Sequence, residues 1–309
     1  MINKYTIYIP SKGRAESRHT MKALDKMGVE YFVVIEESEL EKYIKYIDKS
    51  KILILPFINK GLVESRNWIK RHSTEKGEKR HWQMDDNIDG FVRLNRNRKI
   101  NVKTPATIRA CEDFTDRYTN VAFSGMNYRF FATERNGRAR PYTLNTRIYS
   151  CTLVNNEIEH YYRDVYNDDT DISLRALKDG WCTILFNAFL CNKIGTMRVA
   201  GGLNTEEFYK GTNKRSEFVD SLIKQHPDCV RKVWRYERWH HEVDYRQFQE
   251  NKLIKKDDLI IDSGVNNYGM VLNKVQKGAE ITEPSIELDE PETFIIESNK
   301  IYTQMDLFA

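Results

Sequence analysis

The sequence predicts an α/β fold with a Rossmann-like, mostly parallel central sheet and flanking helices. Over the first 90 residues, short apolar runs alternate with segments in which apolar residues recur every three or four positions. This alternation is typical of βαβ units. The 309 residues, of which 40% are apolar and 30% charged, suffice for one large or two ordinary domains. The apolar runs are far shorter than the roughly 18 residues of a membrane-spanning helix, so we expect no membrane association.

The first half of the chain contains four predicted strands, over residues 6–10, 31–35, 52–55 and 81–84. The predicted helices between them cover residues 16–27, 38–47 and 62–72. The second of these helices begins with Ser38-Glu39-Leu40-Glu41, which has the form of a capping box. Strand and helix therefore alternate at the spacing that a doubly wound sheet requires.

The second half predicts fewer regular elements. Thr104-Pro105 is typical of a helix start, and a helix over residues 170–178 is expected to end at Gly180. Further strands are predicted at residues 121–124, 148–154 and 183–186. Past about residue 275 the periodicity fades and the composition becomes acidic. We therefore predict a folded domain over residues 1–275 and an acidic C-terminal extension over residues 276–309.

Charge is divided unevenly along the chain. Residues 280–309 contain eight acidic residues and one lysine, and the whole chain carries +4, so residues 1–279 carry +11. A basic body favours a polyanionic partner such as nucleic acid, although a nucleotide substrate or a well-solvated surface explains the same composition. The chain start lacks a signal peptide's apolar core, and the five cysteines form no CxxC pair. We expect a cytoplasmic protein with buried, reduced thiols rather than disulfides or a zinc site.

Polar residues follow each of the first four predicted strands. They are Ser11-Lys12-Gly13-Arg14, Glu36, Asn59-Lys60-Gly61 and Asp85-Asp86-Asn87. Ligands of open α/β sheets bind beyond the carboxyl ends of the strands, so these residues are expected to line one site. The oxygens of Asp85, Asp86 and Asn87 suit Mg²⁺ or Mn²⁺, which share their coordination with substrate phosphates. A turn or helix cap is the alternative explanation of this triplet.

A second acidic segment, Asp168-Asp169-Thr170-Asp171, leads into the helix predicted over residues 170–178. Helix capping explains part of this segment but leaves one acid to spare. A carboxylate held beside a metal-bound donor can deprotonate an acceptor hydroxyl, a contribution of about 10²- to 10⁴-fold in rate. Asp168 and Asp169 are therefore the candidate catalytic residues.

Basic and aromatic residues interleave in two runs. The first contains Arg129, Arg135, Arg138, Arg140 and Tyr142, and the second covers residues 231–239. Arginines can follow phosphates while aromatic rings stack on bases or fill the space of an extruded base. We predict that the first run contacts DNA, whereas the second is equally compatible with an amphipathic core helix.

Several of these segments resemble, in the same order, the donor half of GT-A glycosyltransferases. They are IYIPSKGR at 7–14, VVIE at 33–36, Gly61 with Arg66-Asn67, MDDN at 84–87 and DDTDISLR at 168–175. QMDDNI at 83–88, WHHEVDY at 239–245 and NNYGM at 266–270 are more closely similar to the TET-associated glycosyltransferases of bacteriophages, relatives of the base J glucosyltransferase. The resemblance extends from about residue 5 to residue 270 and implies the GT-A fold.

The resemblance implies a metal-dependent enzyme that moves a sugar from a nucleotide-sugar, such as a UDP-sugar, to 5-hydroxymethylcytosine or 5-hydroxymethyluracil in phage DNA. The implied donor-binding residues are Ser11, Lys12, Arg14, Glu36, Arg66, Asn67 and Asp85. Lys214 is a further candidate for donor binding, because a basic side chain can offset the charge of the leaving diphosphate. The implied metal ligands are drawn from Asp85, Asp86, Asn87 and His240, and Asp169 would be the general base. The usual D-x-D is Asp-Asp-Asn here and Asp168 replaces a commoner Glu, so the direct ligand stays open. If Asp169 only removes a proton, the anomeric configuration inverts.

The C-terminal QMDLF at 304–308 resembles the Q-L-x-L-F peptide by which bacterial replication proteins bind the sliding clamp. Gln304, Leu307 and Phe308 would be its anchors, unless the tail packs back on the body. Other functions remain open. They are a GT-A enzyme acting on a carbohydrate, lipid carrier or protein, a non-catalytic DNA-binding or clamp-tethered module, and a two-metal nuclease.

Overall fold

Four strands and three helices alternate along the first 84 residues, as the sequence predicts. The computed structural model describes residues 3–95, 98–132, 140–163, 166–195 and 212–258, without the side chains of residues 95 and 212–215. The elements are β1 (Ile7–Pro10), α1 (His19–Lys26), β2 (Phe32–Glu36), α2 (Leu40–Tyr43), β3 (Ile52–Leu55), α3 (Gly61–Glu75) and β4 (Arg80–Met84). The strands lie side by side in the order β3-β2-β1-β4, and each neighbouring pair is parallel.

The rest of the described chain adds eight strands and three helices. The strands are β5 (Ile88–Asn95), β6 (Arg98–Asn101), β7 (Val121–Tyr128), β8 (Tyr142–Leu144), β9 (Cys151–Asn155), β10 (Cys182–Lys193), β11 (Val230–Arg235) and β12 (Arg238–Val243). The helices are α4 (Ala106–Thr115), α5 (Asp168–Lys178) and α6 (Thr212–Gln225). The chain divides into two units, Met1–Asp257 and Asp258–Ala309, and all of these elements belong to the first.

The central sheet continues beyond β4 with antiparallel and parallel neighbours. Its order is β3-β2-β1-β4-β9-β7-β10-β5-β6, and β8 pairs with β10 outside this path. Strands β9, β5 and β8 run against their neighbours, so seven of the ten described strands of this sheet share one direction. The predicted α/β fold with a Rossmann-like, mostly parallel sheet is therefore confirmed.

Residues of β1 alternate between two hydrophobic clusters, because successive side chains of a strand point to opposite faces. Ile7 and Ile9 share one cluster with Leu24 of α1, whereas Tyr8 packs in another with Ile69 of α3. All five of these side chains are buried. Each contributes roughly 1.5–3 kcal/mol of burial free energy. The loop after β1 is thereby fixed between α1 and α3, which sets the position of Ser11.

Helix α5 is held by a fully buried carboxylate, that of Asp171. It accepts hydrogen bonds from Arg163 at 2.8 Å, from Arg175 at 3.0 Å and from Nε2 of His226 at 2.8 Å. Burial favours the neutral acid, but these three partners outweigh it and lower the pKa of Asp171. Asp171 therefore joins α5 to the segment that follows α6 and is a scaffold residue.

Three parts of the chain differ from the sequence prediction. The helix expected over 38–47 is a 3₁₀ turn, Glu37–Glu39, followed by the short α2, and Ser38 lies inside the turn, where it does not cap the helix. Residues 88–101, for which no regular element was predicted, contain the hairpin β5–β6. Residues 231–239, for which an amphipathic helix is one alternative, lie instead in the hairpin β11–β12, whose turn residues Tyr236 and Glu237 have φ of 51° and 58°.

All five cysteines lie in the described part of the chain, and they are buried and free of disulfides, as predicted. Among the described residues, no helix has the length and apolarity needed to cross a membrane.

Candidate active site

The carboxyl ends of β1, β2 and β4, the start of α3 and the start of α5 carry most of the predicted site residues. Parallel strands end at the same edge of a sheet, so Ser11, Glu36 and Asp85 lie along one edge. Asp168 and Asp169 open α5, where Asn167 adopts a left-handed conformation with φ of 53°. The following contacts show which of these side chains meet.

The carboxylate of Asp86 contacts residues of the loop after β1. Ser11 Oγ donates to Asp86 Oδ2 at 2.6 Å and lies 2.7 Å from the hydroxyl of Tyr43, while Arg14 forms an ion pair with the same carboxylate. Burial raises the pKa of Asp86 above its ordinary value, against the opposing effects of Arg14 and Ser11. Asp86 therefore shapes the loop from inside, with 5% of its surface exposed.

Lys12 and Glu36 form a second polar contact at this edge. Lys12 Nζ lies 2.8 Å from Glu36 Oε2 and donates to Asn59 Oδ1 at 2.6 Å. The backbone N–H of Asn59 donates to Glu36 Oε1 at 2.9 Å. The ends of β1, β2 and β3 are thus joined, and they present a carboxylate and an ammonium group side by side.

Arg66, near the start of α3, brings the two acidic segments together. Its Nη2 lies 3.0 Å from Asp85 Oδ1, and its Nη1 forms an ion pair with Asp168. Lys193, the last residue of β10, contacts the other oxygen of Asp85 at 2.7 Å and donates to Ser150 Oγ at 2.7 Å. Acids that are distant in sequence therefore converge on one guanidinium group.

The two acids of this cluster have opposite pKa shifts. Burial disfavours the charged form of Asp85, but Lys193 and Arg66 outweigh it and hold its pKa well below the ordinary value. At Asp168, burial together with the charges of Asp169 and Asp85 outweighs Arg66 and raises the pKa to about 6. Asp85 is thus a permanent anion, whereas Asp168 changes its protonation in the mildly acidic range.

Asp169, the neighbour of Asp168, interacts electrostatically with Arg147, His241 and Tyr245. Burial and the charge of Arg147 lower the pKa of His241 to about 4, against the opposing effect of Asp169, so His241 is neutral at pH 7. Burial disfavours the Arg147 cation, but Asp169 and nearby tyrosines raise its pKa. Asp169 Oδ1 accepts the backbone N–H of Thr170 at 2.7 Å. Its carboxylate therefore has both a cation and a neutral imidazole as neighbours.

Other predicted site residues have mainly structural contacts. Asn67 is buried, donates to the carbonyl of Tyr162 at 2.7 Å and accepts the backbone N–H of the same residue at 2.8 Å. Asn87 donates to the carbonyl of Ile194 at 2.9 Å, and its Oδ1 is buried without a partner among the described residues. His240 contacts the edge of the Tyr236 ring and accepts from Arg238 at 3.1 Å within the hairpin β11–β12.

The predicted DNA-contacting run is only partly described. Arg140 and Tyr142 line a cleft of about 1280 Å³ between β8 and the hairpin β11–β12. Tyr245 lines the same cleft, and the charges of Asp169 and Arg147 affect its pKa, although neither of these two residues lines the cleft itself. The backbone N–H of Arg129 donates to Cys191 at 2.9 Å. Arg135, Arg138, the side chain of Lys214, and Gln304, Leu307 and Phe308 lie outside the described residues.

Two cations of the site, Lys193 and Arg147, were not predicted from the sequence. Lys193 ends a strand that was expected to stop at residue 186, and Arg147 lies in an irregular segment between β8 and β9. Neither belongs to a local motif. Their positions depend on the pairing of β10 with β5 and on the packing of the hairpin β11–β12, which short-range patterns do not predict.

Comparisons with known proteins identify the family. No curated protein matches the chain. A solved structure described as a putative nucleotide-diphospho-sugar transferase from Desulfovibrio desulfuricans G20 is 10% identical, with a TM-score of 0.37, over 72% of this chain and 98% of that one. The mannose-1-phosphate geranyltransferase from Thermus thermophilus is 9% identical, with a TM-score of 0.29, over 60% and 57%. The profile of the TET-associated glycosyltransferases matches residues 5–202, so the chain belongs to this family of glycosyltransferases.

Proposed function

We propose that the chain transfers a sugar from a nucleotide-sugar, a UDP-sugar by the resemblance, to the hydroxyl of a 5-hydroxymethylpyrimidine in DNA. The observation that carries this proposal is the meeting of Asp85 and Asp168 on Arg66. This contact joins the ends of the strands, which are expected to bind the donor, to the start of α5, which is expected to supply the general base. Donor and acceptor can therefore meet at one point.

The donor occupies the edge formed by the ends of β1, β2 and β4. Glu36 offers carboxylate oxygens to hydroxyl groups of the nucleoside, and Lys12, whose side chain is 47% exposed, offers its ammonium group to phosphate oxygens. Ser11 and Arg14 keep the loop in shape through Asp86. Some loop residues thus contact the donor directly, and the others position these contacting residues.

The charges around Arg66 favour a divalent cation when the diphosphate is bound. Asp85, Asp168 and Asp169 carry three negative charges, which Arg66, Arg147 and Lys193 balance. A diphosphate therefore brings negative charge that these side chains do not offset. Mg²⁺ or Mn²⁺ supplies positive charge to the leaving diphosphate, and these ions bind through one or two protein oxygens plus phosphates.

The three residues Asp85, Asp86 and Asn87 differ in how well their oxygens can coordinate such an ion. Asp85, with 19% of its side chain exposed, and Asn87, whose Oδ1 has no partner in the described chain, offer the suitable oxygens. Both carboxylates already contact basic side chains, but Asp86 is the poorer candidate because it is 5% exposed and is enclosed by Arg14 and Ser11. Of the two histidines, His241 rather than His240 lies near the acids. We therefore propose Asp85 as the main protein ligand.

Asp169 acts as the general base. Its charge affects the pKa of Tyr245, which lines the cleft together with Tyr142. Its carboxylate takes the proton of the acceptor hydroxyl while that oxygen bonds to the anomeric carbon. The bond from this carbon to the diphosphate breaks, and its electron pair leaves with the nucleotide. Attack opposite to the leaving group inverts the anomeric configuration.

We propose that DNA binds at this cleft. The residues that line it include four basic side chains, Arg140, Arg231, Arg246 and Lys252, and three acidic ones, Asp228, Glu242 and Asp244, of which Glu242 and Asp244 pair with Arg231 and Arg246. Such side chains can contact phosphates, and an extruded base can enter between Tyr142 and Tyr245. The peptide at 304–308 would add attachment to a sliding clamp, which remains a prediction from sequence.

The test is mass spectrometry of nucleosides after hydroxymethylated DNA is incubated with the full chain, a panel of nucleotide-sugars and Mg²⁺ or Mn²⁺. We expect a hexosylated nucleoside with wild type, and a loss of about 10²- to 10⁴-fold with Asp169→Asn. Asp179→Asn is the matched control, because Asp179 follows the same helix and its side chain is 55% exposed. Transfer only to carbohydrate, lipid or protein acceptors would refute the DNA acceptor. Full activity of Asp169→Asn would refute the base.

A further inference from the structure

The turn between α6 and β11 brings three metal-binding side chains together. A ring nitrogen of His226, a carboxylate oxygen of Asp228 and the sulfur of Cys229 lie within 4.8 Å of one another. His226 and Cys229 are 1% and 5% exposed, respectively, whereas the side chain of Asp228 is 48% exposed. This is the one such cluster found among the described residues, and it lies apart from the contacts of Arg66.

The imidazole of His226 has one ring nitrogen engaged and one without a partner. Nε2 lies 2.8 Å from Asp171 Oδ1, and a carboxylate only accepts, so Nε2 carries the hydrogen. With its hydrogen on Nε2, the ring can offer the lone pair of Nδ1 to a metal ion. This atom is buried and has no hydrogen-bond partner in the described part of the chain. A buried acceptor without a donor is unfavourable, and a metal ion would satisfy it.

We propose that His226 Nδ1, Asp228 and Cys229 Sγ bind a divalent metal of the zinc class. Nitrogen, oxygen and thiolate ligands together favour Zn²⁺ over Mg²⁺ or Ca²⁺, which prefer oxygen. A carboxylate that fixes the tautomer of a metal-binding histidine is a recurrent supporting contact, and Asp171 has that position here. Asp228 and Cys229 line the 1280 Å³ cleft, so a fourth coordination position would face it.

Binding requires that Cys229 lose its proton. A free thiol is protonated at neutral pH, and only the thiolate is a metal ligand. The metal accepts an electron pair of the sulfur, and one proton passes to solvent. Affinity therefore increases with pH.

Lys178 competes with the metal for Asp228. Its Nζ lies 2.6 Å from Asp228 Oδ1, and an ammonium group beside the ligand repels a divalent cation. Removal of this charge should tighten metal binding, whereas removal of the Asp228 charge should weaken it. The two changes thus have opposite expected effects on affinity while breaking the same ion pair.

The site would also position the catalytic helix. His226 contacts Asp171 in the first turn of α5, which begins with Asp168 and Asp169. A metal on Nδ1 fixes the ring and thereby the connection between α5 and the start of β11. The metal in this site is separate from the one proposed beside Asp85.

The test is Co²⁺ titration of the metal-free full chain, with thiolate-to-cobalt absorption and proton release as readouts. We expect one Co²⁺ per chain, displaced by Zn²⁺, with release of one proton. Cys229→Ser should abolish the absorption band, Asp228→Asn should weaken affinity at least tenfold, and Lys178→Gln should strengthen it. Cys182→Ser is the matched control, because Cys182 is also buried but contacts Asn120 instead.

Two results would overturn the proposal. One is the absence of a thiolate band in wild type, and the other is an unchanged band in Cys229→Ser. Asp228 is half-exposed, so its variant tests the ligand role without depending on the core. Equal affinities of the Asp228→Asn and Lys178→Gln proteins would also refute it, since a purely structural ion pair predicts the same effect from both.

Discussion

Arg66 and Asp168 form an ion pair across 102 residues of sequence, and the same guanidinium group lies 3.0 Å from Asp85. Nearly all of this contact is shielded from solvent, since 10% of the Arg66 side chain is exposed. The ion pair therefore stabilises the fold and also holds the acidic side chains in their relative positions. Its removal leaves two carboxylates close together without their shared counter-charge.

Arg66→Met is expected to abolish sugar transfer and to lower the free energy of unfolding by roughly 3–5 kcal/mol, because it leaves a buried charge without its partner. Urea unfolding and nucleoside mass spectrometry measure the two effects. Arg71→Met on the same helix is the control, because Arg71 is 45% exposed and its contact with Glu64 is 3.8 Å long. A stable, active Arg66→Met protein would contradict the assigned role.

The raised pKa of Asp168 predicts a pH dependence of stability. Between its ordinary value of 3.8 and about 6, the folded chain keeps a proton that the unfolded chain has released. Asp168 thus lowers the free energy of unfolding as pH rises through this window, by up to roughly 3 kcal/mol. Asp168→Asn should flatten the profile there, as measured by urea unfolding at pH 4 and pH 7. An unchanged slope would show that Asp168 titrates normally.

Asp85 and Asp86 are adjacent, but their substitutions should have different effects. Asp85→Asn should reduce transfer by roughly 10²-fold or more, because Asp85 is the proposed metal ligand. It should destabilise the fold less than a truncation does, because the asparagine amide oxygen can still accept a hydrogen bond from Arg66 or Lys193. Asp86→Ala should destabilise the fold by roughly 3–5 kcal/mol, because Arg14 is left buried without this carboxylate. Thermal unfolding measures the stability of each variant, and initial rates measure its transfer activity. An equal loss of stability in both variants would contradict the different roles assigned to Asp85 and Asp86.

Arg140→Gln should weaken binding to duplex DNA and reduce the slope of log affinity against log salt by about 1, as expected for the loss of one phosphate contact. Fluorescence anisotropy over a range of salt concentrations measures this slope. Arg71→Gln, which removes an exposed arginine far along α3, should leave it unchanged. If both variants behave alike, the cleft is not the DNA-binding surface.

Gly125 in β7 should not tolerate a side chain. An added Cβ would lie 2.3 Å from the carbonyl oxygen of Cys151 in β9 and 2.5 Å from Ile148. Gly125→Ala should therefore cost roughly 1–3 kcal/mol of unfolding free energy. Gly90→Ala is the control, since no atom lies within 4 Å of its added Cβ. Chemical denaturation of both proteins provides the comparison.

Sequence patterns predicted most of the parallel half of the sheet because β1, β2 and β3 are short runs of apolar residues, as β2 with Phe32-Val33-Val34-Ile35 illustrates. They did not predict β6 or the hairpin β11–β12, because such strands are charged and partly exposed and lack an apolar run. The strand-end rule correctly placed Ser11, Glu36 and Asp85 at one edge. It could not place Lys193 or Arg147, whose contacts depend on long-range pairing.

The three aspartates that open α5 differ in what they contact, and Asp171 alone is fully buried. A mutational scan scored only by product formation would group all three together as enzymatic residues. If the same variants are scored by the yield of soluble protein, substitutions of Asp171 should give the lowest yield, because they leave two arginines and a histidine without their shared carboxylate. Conservation of these three aspartates in related chains can therefore have two unrelated causes, namely selection for catalysis and selection for correct folding.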